Sequence, residues 1–183
     1  MEPLTEKQVR ASFVNASKGE VQRINLPDLA VLDWDRLDLL GWVDPKAPLA
    51  AHLVVETDDG PVGVLLRRNP SGAGPRRARM CSLCTTTHAG QGVALMVARR
   101  AGKAGRDGNT VGLDICASLE CSSYARGLLP APAMTTAHET LSVEERVARL
   151  RRNALAFVER VRREPTGSGR PRWVLGSDAT PRS

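Results

Sequence analysis

All four cysteines of the chain lie in two closely spaced pairs, Cys81 with Cys84 and Cys116 with Cys121. A zinc ion takes four thiolates in tetrahedral geometry, and the two residues between Cys81 and Cys84 let the backbone wrap the metal with both sulfurs ~2.3 Å away. Four protein ligands leave no open position for water or substrate. The spacing therefore predicts one structural Zn²⁺ ion rather than a catalytic one.

Two other uses of the same cysteines have to be weighed. Two disulfides would require an oxidising compartment, yet residues 1–6 show neither the basic nor the apolar part of a secretory signal, so we expect a cytoplasmic protein. A redox pair at Cys81 and Cys84 would leave Cys116 and Cys121 unexplained. A redox-sensing or metal-sensing switch, with reversible loss of zinc, is a further hypothesis.

The segments around the cysteines predict how they are positioned. Residues 92–98 and 110–115 are strand-like, which predicts a hairpin between the two pairs, with the glycine-rich basic residues 101–109 as its tip. Residues 118–126 can form a short helix with Cys121 in its first turn, where the helix dipole stabilises a thiolate. A zinc knuckle at Cys81 and Cys84, then a hairpin and then a helix follow one another in the order of a treble-clef zinc finger. His88 lies close to Cys84 and could bind the metal or a thiolate, but we expect it to face water.

Other elements flank this frame. A capping box at Thr5 predicts an N-terminal helix whose apolar positions, Val9, Phe13 and Val14, extend toward residues 17–19. Residues 33–42 are typical of a short helix or helical turn that packs its tryptophans in the core. Residues 52–56 and 62–67 predict a hairpin through an Asp-Gly turn. A glycine-rich and proline-rich surface loop is expected at residues 69–75.

The C-terminal part contains the longest periodic segment. A capping box at Ser142 opens a predicted amphipathic helix over 142–163, with an apolar stripe on one face and mostly arginines on the other. The predicted fold class is α+β, a treble-clef-like zinc finger with β-hairpins between a short N-terminal helix and this C-terminal helix. The predicted divisions are an arm at 1–27, a zinc-binding domain at 28–163 with its zinc frame at 81–127, and a disordered tail at 164–183.

The charge of the chain restricts its partners. The formal net charge is +6 and the sequence pI is about 9.7, which favours acidic partners. Residues 61–106 contain no Asp or Glu but nine basic side chains. Aromatic residues make up only 3% of the chain, so any RNA binding would be directed to the backbone rather than built on base stacking. We find no nucleophile with a base and no carboxylate pair, and we expect a non-enzymatic protein.

The chain also resembles a known family, the FBP domain proteins, which are related to the C-terminal treble-clef zinc finger of the elongation factor G-binding (FusB-type) proteins. The residues that carry the resemblance are Met80-Cys81-Ser82-Leu83-Cys84, Thr87-His88, and segments 97–102, 108–112 and 115–127, with Ser12-Phe13-Val14-Asn15 and Leu40-Gly41-Trp42 upstream. The resemblance covers roughly residues 5–163.

The resemblance implies that Cys81, Cys84, Cys116 and Cys121 are zinc ligands and that the partner is elongation factor G, the ribosome, or both. In FusB-type proteins this binding helps to release the factor when fusidic acid traps it. Those proteins begin with a separate helical bundle, so a housekeeping role in translation is the expectation for this chain. The predicted partner-binding residues are Arg99, Arg100, Lys103, Arg106 and Arg126.

Overall fold

The computed structural model of the protein describes residues 1–69, 78–130 and 140–163. Most of the predicted loop at 69–75 and the predicted tail at 164–183 lie outside the described residues. The described elements, in chain order, are α1 (Glu6–Ala11), α2 (Lys18–Gln22), a 3₁₀ turn (Trp34–Arg36), β1 (Leu40–Val43), β2 (Ala50–Thr57), β3 (Gly60–Arg68), β4 (Arg79–Met80), β5 (Thr87–His88), β6 (Val93–Arg99), α3 (Gly102–Arg106), β7 (Thr110–Cys116), α4 (Cys121–Ala125) and α5 (Val143–Arg162).

The centre of the fold is a five-stranded antiparallel sheet with the strand order β1-β2-β3-β6-β7. Both predicted hairpins are confirmed. The β2–β3 turn contains Gly60 at φ +106°, a conformation that glycine adopts without a steric penalty. The β6–β7 hairpin ends at Cys116, one of the four cysteines predicted to bind zinc. The strands β4 and β5 form a separate small sheet.

One face of the sheet is covered by α5, as the apolar stripe of this helix predicts. The helix begins at the predicted capping box, where Ser142 accepts from the Glu145 amide. Its side chains Leu150, Phe157 and Val161 are buried in one cluster with sheet residues that include Leu53 and Met96. Of the helices that the described ranges contain, none combines the length and apolar character needed to cross a bilayer.

The other face is covered over β1 and β2 by the N-terminal residues. Val9, Phe13, Trp34 and Trp42 form a second buried cluster there with Val54. The core role predicted for the tryptophans is confirmed by this burial. Residues of the predicted 1–27 arm contribute to this core, and the boundary at residue 27 stays a prediction.

The predicted course of the first helix is wrong. α1 ends at Ala11, and Phe13 forms a β-bridge with Gly63 instead. The Gly63 amide donates to the Ser12 carbonyl at 2.9 Å and its carbonyl accepts from the Val14 amide at 3.0 Å. A Cβ on residue 63 would lie 2.5 Å from the Ser12 hydroxyl oxygen, so glycine permits this close pairing. A second capping box, Ser17 with Glu20, then starts α2.

Residues 33–42 follow the prediction only at their start. The helical turn stops at Arg36, and Leu40–Val43 is strand β1. Glycine at position 41 permits the close approach of this strand to Leu119, because a Cβ there would lie 2.8 Å from the Cβ of Leu119. The strand therefore packs directly on the segment between Cys116 and Cys121.

The predicted glycine-rich hairpin tip is also wrong, because residues 102–106 form the short helix α3. Gly105 is buried, and a Cβ there would lie 1.8 Å from the Arg100 carbonyl oxygen. The Asn109 amide closes the segment by donating to the Ala104 carbonyl at 3.0 Å. The glycines therefore provide space for a packed helical turn, on which the basic residues Lys103 and Arg106 are exposed.

Candidate metal centre

The four cysteine sulfurs converge at one point. All four residues are buried, and their Sγ atoms lie within 4.8 Å of one another. The Cys81–Cys121 and Cys84–Cys116 sulfur pairs are 3.7 and 3.5 Å apart. A tetrahedral zinc ion with ~2.3 Å bonds needs sulfurs ~3.8 Å apart. The donor set therefore fits Zn²⁺ in type, number and spacing, and the four cysteines would hold it.

The first pair lies in a knuckle that the backbone holds closed. The Cys81 amide donates to the Thr86 carbonyl at 2.9 Å, and the Thr85 amide donates to the Cys81 carbonyl at 2.8 Å. Thr85 has φ +61°, which is unusual for a β-branched residue. The Ser82 amide donates to the Asp114 carbonyl at 2.7 Å. The knuckle is thereby attached to the strand that carries Cys116.

The second pair lies at the junction of β7 and α4, as predicted. Cys116 is the last residue of the strand and Cys121 is the first residue of the helix. Leu119, at φ +62°, reverses the chain between them, and its amide donates to the Cys116 carbonyl at 3.0 Å. The end of the strand and the start of the helix together bring the sulfurs of Cys116 and Cys121 close to those of Cys81 and Cys84.

Proximity and burial shift the pKa values of the cysteine thiols in opposite directions. Hydrogen bonds from the Cys116 and Cys121 thiols hold the pKa of Cys81 far below its usual value. The hydrogen bond to Cys116 and burial raise the pKa of Cys121 well above its usual value. Zinc binds thiolates, so metal binding at this cluster would be accompanied by release of the thiol protons. When bound, zinc supplies a fixed crosslink with no open position for a substrate.

His88 belongs to this centre, and the prediction that it faces water is wrong. It is buried, its Nε2 lies 3.3 Å from the Cys116 sulfur, and its ring meets Tyr124 edge-on at 4.9 Å. The pairing of β5 with β4 places it there, and Gly92 leaves the space, since a Cβ would lie 2.6 Å from that of His88. Burial lowers the pKa of His88. In the metal-bound centre, where Cys116 would be a thiolate, the neutral ring would be placed to donate from Nε2 to its sulfur.

The geometry agrees with a comparison against family models. The model described as the FBP C-terminal treble-clef zinc-finger matches residues 8–161. The chain belongs to this family. Its cofactor is accordingly Zn²⁺, which the four buried cysteines are positioned to hold. No curated protein and no solved structure gives a significant match to the chain.

A buried carboxylate ties the zinc finger to the rest of the FBP domain. The Asp38 side chain is fully buried and accepts from Arg126 Nε and Nη2 at 2.8 and 2.9 Å. Arg151 of α5 lies 3.0 Å from the same carboxylate. Next to it, the Ser122 hydroxyl accepts from the Asp38 amide at 3.0 Å. The pKa of Arg126 is raised, chiefly by its hydrogen bonds to Asp38.

Neither Asp38 nor Ser122 was identified from the sequence. They are 84 residues apart, and no motif in the sequence links them. An aspartate beside a run of apolar residues, Leu37 and Leu39–Leu40, is the one signal that could have suggested a buried carboxylate.

The structure places the five predicted partner-binding residues in different surroundings. Arg99 pairs with Glu20, Lys103 lies 2.6 Å from Asp107, and Arg126 is engaged by Asp38. Arg100 donates to the carbonyl oxygens of Arg160 and Arg163 near the end of α5. Arg106 is exposed. Four of the five lie on or beside α3, whereas Arg126 follows α4, and their role in partner binding stays a prediction.

Proposed function

We propose that this FBP family member is a non-enzymatic, zinc-stabilised binding protein of the cytoplasm that attaches to elongation factor G, on or near the ribosome. The observation that carries the proposal is the closure of the metal centre. Each of the four cysteines is at most 3% exposed, so a bound ion would contact protein alone. A closed site of this kind contributes folding energy rather than chemistry.

The charge distribution supports an acidic partner. The acid-free stretch at 61–106 ends at α3, where Lys103 and Arg106 are exposed. Arg100 joins this helical turn to the end of α5 through two backbone carbonyls. The basic residues are therefore held on a packed support, which reduces the conformational entropy that binding costs.

Calorimetric titration of purified elongation factor G with the zinc-loaded protein tests the proposal. We expect saturable binding that weakens as salt rises, because the attraction is largely electrostatic. Arg106→Glu should weaken binding by about tenfold, since it reverses a charge at the contact. The matched control is Arg152→Glu, which reverses an exposed charge on α5. Absence of binding by the unaltered protein at low salt would refute the proposal.

The second candidate function is binding to the RNA backbone, which the absence of carboxylates over 61–106 favours. Such binding depends steeply on salt and only weakly on base sequence. Titration with single-stranded and duplex RNA over a range of salt separates the candidates. Tight RNA binding together with no binding to elongation factor G would favour this second function.

A further inference from the structure

One half of a sheet face has no covering element among the described residues. On the face opposite α5, the N-terminal residues pack over β1 and β2 and also contact β3 at Gly63 and Leu65. Beyond them, Leu95 and Val97 of β6 are only half-buried, and Arg67 and Gly112 are exposed. Arg67, Val97 and Gly112 are directly paired across three strands and so lie side by side on this face.

The uncovered area is concave. A groove of about 530 Å³ opens there, which lies within the ~300–1,000 Å³ of ordinary ligand sites. Its floor is aliphatic, with Leu49, Leu65 and Val97, and Leu49 is 43% exposed. Arg67 and Arg99 line it as well. We call this site the sheet groove.

A smaller cleft of about 200 Å³ adjoins the sheet groove, and the two share Glu20 and Arg99. The cleft adds Arg100 and Arg106. Together the two hollows are lined by four arginines and one acidic residue, Glu20, which is already paired with Arg99. Within the described ranges, neither Arg67 nor Arg106 forms an ion pair with a carboxylate.

We propose that the sheet groove and the adjoining cleft together bind an acidic segment of a protein partner, with an aliphatic side chain on the floor of the groove and carboxylates at Arg67 of the groove and Arg106 of the cleft. The statement that the partner is a protein rests on the proposed function. The aliphatic floor favours a peptide over RNA. None of the described residues that line the groove is aromatic, so bases would find no stacking surface, and a phosphate backbone would leave Leu49 and Val97 uncovered.

The experiment is a titration of the ¹⁵N-labelled, zinc-loaded full chain, followed by amide chemical shifts. The probes are a short peptide of alternating glutamate and leucine, the same peptide with lysine in place of glutamate, and oligouridine RNA. We expect saturable shifts at the amides of Leu65, Val97 and Thr110 with the acidic peptide only. Shifts confined to another surface, equal shifts with the lysine peptide, or groove shifts with RNA alone would overturn the inference.

Four variants sharpen the test. Leu49→Asp and Arg67→Glu, both at exposed positions, should weaken acidic-peptide binding by at least about tenfold. Their controls are Val31→Asp, at a side chain 76% exposed, and Arg152→Glu, which should each stay within about twofold. Unchanged affinity in the two groove variants would overturn the inference.

Binding to elongation factor G is measured separately with the same proteins. Failure of the unaltered protein to bind the factor, with the peptide shifts intact, overturns the proposed function and leaves the groove assignment standing. Factor binding that Leu49→Asp and Arg67→Glu do not weaken, together with absent peptide shifts, overturns the groove assignment alone.

Discussion

Neutralising the buried Asp38 carboxylate is expected to destabilise the FBP domain, because Arg126 and Arg151 would lose their ion-pair partner. Asp38→Asn keeps the shape of the side chain but turns one oxygen into an N–H donor that faces the guanidinium of Arg126. Breaking a fully buried ion pair costs ~3–5 kcal/mol. The Arg126 and Arg151 side chains are 27% and 54% exposed, so water can solvate them, and we expect a loss of about 2–3 kcal/mol.

Urea unfolding of the zinc-loaded protein measures this loss. With a slope of ~1–3 kcal/mol/M, the midpoint should fall by about 1 M. Asp35→Asn is the matched control, because Asp35 is exposed on the neighbouring 3₁₀ turn, and it should change stability by less than about 0.5 kcal/mol.

A double-mutant cycle that combines Asp38→Asn with Arg126→Met measures the interaction energy between Asp38 and Arg126. We expect Arg126→Met to cost much less in the Asp38→Asn background than in the unaltered protein, because the partner is already lost. Additive losses, or a loss below about 0.5 kcal/mol for Asp38→Asn, would show that the pair does not connect the zinc finger to the domain as described.

Three other perturbations have defined outcomes. Cys116→Ser should abolish stoichiometric zinc binding and unfold the central domain, as measured by metal analysis and circular dichroism, because metal binding contributes to folding. Burial lowers the pKa of His52 from 6.5 to about 4, so the unfolded chain binds a proton that the native chain does not. Stability should therefore fall by about 3 kcal/mol between pH 6.5 and 4, and His52→Leu should remove this contribution from the pH dependence. Gly105→Ala should cost at least about 2 kcal/mol in urea unfolding, since its Cβ would collide with the Arg100 carbonyl.

Each of these has its own control. Cys116→Ser is compared with Ser118→Ala, which leaves the four thiols in place. Both His52→Leu and the unaltered protein lose zinc at acid pH, so the difference between their free energies of unfolding reports the contribution of His52 alone. If the stability of the two proteins depends on pH with the same slope, the lowered pKa of His52 is contradicted. Gly19→Ala in α2 meets only the flexible end of Arg23, 3.7 Å away, and should stabilise the helix slightly. A Gly105→Ala variant as stable as Gly19→Ala would contradict the packing described.

The sequence predicts the features of this fold that depend on local patterns. Cysteine spacing indicates the metal centre, strand-like apolar runs indicate the two hairpins, and the capping box at Ser142 marks the start of α5. These features depend on neighbours a few residues apart, where chain geometry leaves few choices.

Predictions from the sequence are wrong at positions where long-range packing overrides the local pattern. Phe13 is at helical spacing, but pairing with Gly63 takes its backbone out of the helix. The glycines of 101–109 are typical of a turn. Gly105, however, lies in a packed helical turn, where a Cβ would collide with the Arg100 carbonyl oxygen. His88 is polar and near a knuckle, but the β4–β5 pairing turns it toward Cys116. None of these contacts is encoded in the neighbouring residues.

The most direct test of the account compares zinc-loaded and zinc-stripped protein in calorimetric titrations with elongation factor G. If zinc holds the hairpin and the basic surface in place, the loaded protein binds, with an affinity that falls as salt rises, and the stripped protein does not. Equal binding by the two forms, or no binding by the loaded protein at low salt, would contradict the account.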